Sequence, residues 1–141
     1  AAALRLSLKD GVGNSTAGGR GGGLVAGCND VALVRVEVVD AARRLVPTAS
    51  NVVSLGVSGR GGEALAFLGG GNGDPSELTP DKSPTRPAFH GLLLGVFSST
   101  DKAGSATVTA TAPGLAAASL DVHVREPLFR SAWWCERAPE L

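Results

Sequence analysis

The acidic residues Asp74, Glu77 and Asp81 lie close together in one Gly- and Pro-rich stretch. Paired carboxylates can cleave a glycosidic bond when they face each other about 5–10 Å apart. Clustered loop carboxylates can also bind calcium through oxygen. The spacing here matches no EF-hand loop. A plainer role is a solvated loop in which Asp74 caps a turn and Asp81 pairs with Arg86 or Lys82. The run from Gly69 through Asn72 and Asp74 to Ser76 resembles a phosphate loop only in its glycines. It lacks the Gly-Lys-Ser/Thr ending and no helical pattern follows it, so it reads as a turn that uses positive φ. His90 and His123 are the only histidines and sit on different segments, neither with a nucleophile and an orienting acid nearby. Trp133 and Trp134 could stack on a sugar ring; adjacent indoles in a tail more often clamp that tail in place. Cys28 and Cys135 are too few for a structural zinc and form either one bridge or two free thiols. No catalytic residue, metal or cofactor is expected from this inventory.

Composition narrows the partners. The 141 residues carry 13 basic and 13 acidic side chains, a net charge of zero. Nucleic-acid binding, which needs a clustered basic surface, is not expected. No apolar run reaches the roughly 18 residues of a membrane helix. Asn14-Ser15-Thr16 is a glycosylation sequon and points to a secretory or extracellular route. Ala1-Ala2-Ala3 does not read as a natural start, so the segment is expected to be an excerpt of a longer chain.

The elements that must position these residues read as strands. From Val31 to Asp40, Ala32, Val34, Val36 and Val38 fall on one face while Leu33, Arg35, Glu37 and Val39 fall on the other. A period of two marks a half-buried strand. Asn51–Ser58, Gly104–Ala112 and Leu115–Val124 repeat the pattern, the third with Thr107, Thr109 and Thr111 opposite Ala106, Val108 and Ala110. Leu4–Leu8 alternates as well, and Ala64–Leu68 is a short apolar run. Gly91–Ser99 is apolar on both faces at Leu92, Leu93 and Leu94, as if a second surface covered it. About seven strands separated by turn signals predict an all-β, immunoglobulin-like Greek-key sandwich of two antiparallel sheets over residues 1–126. Within it, residues 10–27 read as a flexible Gly-rich insertion and 69–90 as a long loop. Residues 127–141 read as a tail packed on the sandwich or leading out of it.

Several segments occur in a familiar order: Val36-Glu37-Val38-Val39-Asp40-Ala41, Arg44-Leu45-Val46-Pro47-Thr48-Ala49, Asn72-Gly73-Asp74-Pro75, Pro80-Asp81-Lys82, Arg86, Ala88-Phe89, Gly91-Leu92, Val108-Thr109-Ala110 and Pro113-Gly114-Leu115. Over roughly Asp30 to Val124 this order resembles the C-terminal immunoglobulin-like domain of glycoside hydrolase family 2 proteins of the β-galactosidase type. The resemblance implies a non-catalytic accessory domain. Its partners would be the other domains of the parent enzyme, whose two catalytic glutamates belong to a (β/α)₈ barrel that nothing in this chain matches. It also implies that Asn72, Asp74 and Arg86 shape the loop, which with Phe89 and His90 could border the substrate entrance. The chain departs from the family pattern at Leu78-Thr79, where a His-Glu-type pair is common, and at His90, where Asn is usual. It departs again at Gly70, where a residue such as Val is usual, and in the 10–27 insertion. The alternative is a carbohydrate-binding or adhesion-type module that takes oligosaccharide through Trp133, Trp134 or the long loop, or pairs through a sheet edge.

Overall fold

The computed structural model describes residues 1–8, 24–27, 30–59 and 62–126. Among the described residues, nine strands follow one another: β1 (Ala3–Leu8), β2 (Leu24–Val25), β3 (Val31–Val39), β4 (Val52–Ser58), β5 (Leu65–Gly71), β6 (Thr85–Pro87), β7 (Leu92–Ser99), β8 (Gly104–Thr111) and β9 (Ala118–Arg125). A 3₁₀ turn, Gly62–Ala64, leads into β5. The strands form a four-stranded sheet in the order β1-β3-β7-β5 and a five-stranded sheet in the order β2-β9-β8-β4-β6. The two sheets make the immunoglobulin-like sandwich.

Alternation explains the core. Val34, Val36 and Val38 of β3 meet Val53 of β4, Ala106, Val108 and Ala110 of β8, and Val122 and Val124 of β9 between the layers. Among the described residues Phe97 is the largest fully buried side chain, and it packs edge-on against Phe67 at 5.4 Å. Gly95 stands beside it with no side chain because a Cβ there would lie 2.7 Å from Leu55 Cδ1 of the opposite sheet. One end of β1 also bonds the segment that leads into β9: Leu4 N–H donates to Ala116 O, and Ala116 N–H to Ala2 O.

The structure corrects three expectations. Nine strands replace about seven because β2 and β6 are two and three residues long, too short to show a period. Leu24–Gly27, the end of the segment read as a flexible insertion, is folded: Leu24 and Val25 pair with β9 in parallel, so the five-stranded sheet is not purely antiparallel. A partly buried knot holds this strand, with Val25 N–H donating to Asp30 Oδ2, Asp30 N–H to Ser99 Oγ, and Ser99 Oγ–H to Val25 O. Finally, the 69–90 loop is shorter than its glycines suggested. Gly69, Gly70 and Gly71 continue β5 past a bulge at Leu68, and Thr85–Pro87 pairs with β4. Cys28, Cys135, Asn14, Trp133, Trp134 and the 127–141 tail lie outside the described residues.

Candidate functional site

The connection between β5 and β6 carries the chemistry-bearing residues, and its shape is built by short hydrogen bonds. Asn72 Oδ1 accepts from Asp74 N–H at 3.0 Å, and its Nδ2 donates to Pro87 O at 2.9 Å. Asp74 Oδ1 accepts from Ser76 N–H and Oγ–H at 2.9 and 2.7 Å. Two successive Asx turns thus reverse the chain, with Gly73 between them at φ +82°. The loop then folds back along β5, where Gly70 N–H donates to Asp81 O at 2.8 Å. Gly69 must lack a side chain there, since a Cβ would sit 2.9 Å from that same carbonyl oxygen.

Arg86 is the hub beneath this loop. It is 6% exposed and comes from the middle of β6. Its Nη1 donates to Glu77 Oε2 at 2.6 Å, and its Nη2 donates to Thr79 O and Pro80 O at 3.1 and 3.0 Å. Glu77 Oε1 in turn accepts from Thr79 N–H at 2.7 Å. Asp81 lies 3.7 Å from the guanidinium with its side chain 96% exposed, so it adds little to the buried pair. One planar cation therefore ties the carboxylate and two carbonyls of a loop that has no strand of its own. Glu77 was legible in the sequence only as one acid among three. Its pairing with a residue nine positions away follows from the turn between them, not from any spacing rule.

Two of the acids, Glu77 and Asp74, have their carboxyl pKa values lowered. Hydrogen bonding by Thr79, together with the charge of Arg86, keeps the Glu77 carboxyl below the usual glutamate range, against burial and the nearby Asp74 charge. The Ser76 side-chain and backbone hydrogen bonds, then the His90 charge, lower Asp74. A carboxyl whose folded pKa is depressed contributes stability above its unfolded pKa and loses it as pH falls through the folded value. Resistance to urea should therefore decline as pH falls from neutral through the carboxylate range, with part of that slope removed in Glu77→Gln. A pH slope unchanged by the substitution would mean that Glu77 is not depressed.

Phe89 and His90 close the segment. Phe89 and Leu92 exchange both backbone hydrogen bonds at 3.0 Å, and the two residues between them have positive φ, 51° at His90 and 75° at Gly91. That is a two-residue hairpin of type I′, in which asparagine tolerates the first position better than histidine does. It carries the chain from β6 in one sheet to β7 in the other. His90 is exposed, with Nδ1 3.3 Å from Pro47 O and its ring centroid 4.1 Å from that of Phe89. The other histidine, His123, lies across β8–β9 beside Ser105, so the two rings are not brought together.

Beside the loop is a cavity of about 510 Å³, bounded by Arg35, the Gly71–Gly73 turn, Leu92 and Leu94. Asn72 lies in its wall; Leu92 and Leu94 belong to the strand read as apolar on both faces, and none of Arg35, Leu92 and Leu94 was expected to line a cavity. No group of three or more His, Cys, Asp or Glu residues suited to a metal ion occurs among the described residues. The acids of the loop serve its own backbone and Arg86. What the arrangement does chemically is hold a surface in one shape.

Comparison with known proteins follows the same outline. The model for glycoside hydrolase family 2 C-terminal domain 5 matches residues 22–121. The β-galactosidase BoGH2A of Bacteroides ovatus is 38% identical over 104 residues, which are 73% of this chain and 12% of that protein. Among solved structures, a β-glycosidase from Bacteroides vulgatus superposes with a TM-score of 0.73 at 24% identity, over 87% of this chain and 14% of its own. A β-glucuronidase from glycoside hydrolase family 2 superposes with a TM-score of 0.71 at 28% identity, over 92% and 12%. The chain thus spans about an eighth of the relatives it matches.

Proposed function

The chain belongs to the glycoside hydrolase family 2 C-terminal domain 5 family, and from that premise we propose that it is a non-catalytic accessory domain of a β-galactosidase-like glycoside hydrolase. It supports the packing of the parent's other domains, and the loop between β5 and β6 borders the substrate entrance. The observation that carries this reading is coverage. The sandwich accounts for 12% of BoGH2A and for a similar share of the solved glycosidases. In this reading the reacting carboxylates belong to the (β/α)₈ barrel that the family resemblance implies. Consistently, Asp74 and Glu77 are acceptors for turn N–H groups and Arg86, a geometry that fixes a loop and does not present two acids across a bond. The sugar is not a property of this domain, since the same sandwich occurs in a β-galactosidase and in a β-glucuronidase.

The test is direct. The purified 141-residue chain, incubated with chromogenic β-galactoside and β-glucuronide, should release no chromophore above the buffer blank. Turnover that co-purifies with the chain would overturn the reading.

A further inference from the structure

The two sheets have unlike outer faces. On the five-stranded sheet the outward residues of β8 and β9 are Ser105, Thr107, Thr109, Ser119, Asp121 and His123, which suit water. On the four-stranded sheet the outward residues of the central strand β7 are Leu92, Leu94 and Val96, and Leu33 of β3 lies directly opposite Val96. Leu93 and Phe97 of the same strand point into the core. A strand apolar on both faces is the pattern of one covered on both sides. Here, among the described residues, the sandwich covers only one side, and the outer leucines remain half-buried at the surface.

Next to this ridge is an ionic clamp. Glu37, only 7% exposed, takes Arg5 on one oxygen at 2.5 Å and Arg35 on the other at 2.8 Å. The cross-strand register puts Glu37 beside Leu92, and Arg35 beside Leu94. Among the described residues, two cations against one anion leave an excess positive charge at the edge of an apolar floor. The Arg35 side chain keeps 36% of its surface exposed beside the cavity. The Gly71–Gly73 turn, set by the Asn72 bonds, forms the opposite wall.

We infer that this face, the Leu33–Leu92–Leu94–Val96 ridge with Arg35 at its rim, is where the domain docks onto the remainder of its own parent polypeptide. The docked segment presents apolar side chains to the ridge and a carboxylate to Arg35. The inference rests on the accessory-domain reading and deepens it by naming the surface. The choice of occupant follows from chain length: in BoGH2A and in the solved glycosidases, more than four-fifths of the polypeptide lies outside the matched sandwich. The excess charge selects an acidic rim on that partner.

Hydroxyl-radical footprinting of the intact parent protein and of the isolated chain tests this. Oxidation of Leu92 and Leu94 should fall several-fold in the parent relative to the chain alone, while exposed His123 on the opposite sheet is labelled equally in both. Within the parent, Leu94→Asp should restore oxidation at Leu92. Equal labelling of the leucines in the two samples would overturn the inference. So would protection already present in the isolated chain, whether lost on dilution, which would indicate a second copy, or lost on truncation after Glu126, which would indicate its own tail. None of these outcomes bears on galactoside turnover, so the two readings fail separately.

Discussion

Replacing Gly91 with alanine is expected to destabilise the domain by about 3 kcal/mol, from about 1–2 kcal/mol for a left-handed L-residue plus a similar cost for moving backbone. The φ of +75° already disfavours any side chain. In addition, a Cβ at Gly91 would overlap the Val46 carbonyl oxygen and press on Leu45 Cδ1 at 3.2 Å. The Leu45 side chain can give by a few tenths of an ångström, but the Val46 backbone cannot retreat cheaply. Val46 N–H is bonded to Val38 O, Gly91 N–H to Ala49 O, and Val38 N–H to Gly91 O, so three segments meet at this residue. Gly114→Ala is the control, because it has φ +76° and nothing within 4 Å of the added Cβ. It should cost only about 1–2 kcal/mol, the left-handed penalty alone. Urea denaturation of both variants separates the two contributions, and equal losses would refute the clash at Val46.

The second large effect is expected at Arg86. Arg86→Ala should cost about 3–5 kcal/mol, the range seen when one member of a buried ion pair is removed and its partner is left behind. Glu77 Oε2 and the carbonyls of Thr79 and Pro80 would all lose the donor that orders them. Arg86→Lys should recover little of this, because a single ammonium group cannot reproduce a planar fork that reaches three acceptors. The native hub is not without cost, since Arg86 Nε is buried without a hydrogen-bond partner among the described residues. The readouts are the urea midpoint and limited proteolysis between residues 72 and 84, where cleavage should become rapid in both variants. A lysine variant as stable and as resistant as the native chain would show that charge alone suffices.

These two sites show how differently the parts of this fold could be read. The Phe89-His90-Gly91-Leu92 turn is partly visible in sequence, since a glycine after a residue that tolerates positive φ between apolar neighbours suggests a tight reversal. That the reversal passes β6 in one sheet to β7 in the other is not visible there. The three residues of β6 carry no period, and their strand character comes from pairing with β4. Arg86 stood out as a basic residue near three acids. Its closest partner was decided by where the Asx turns at Asn72 and Asp74 send the chain, while Asp81, closer in sequence, pairs with it only at 3.7 Å from an exposed position.

The sequence by itself determined the sandwich and the inner faces of its long strands. Alternation over six to nine residues is a local record of which side meets the core, as in β3, β8 and β9. It also showed β7 to be apolar on both sides, without indicating what each side meets. Only the tertiary structure decided the rest. It brought Arg86 under the 72–84 loop, Ser99 and Asp30 onto β2, and Leu92, Leu94 and Arg35 onto one outer face. Those juxtapositions depend on long-range register and on turns whose hydrogen bonds follow no period, so no window of the chain contains them.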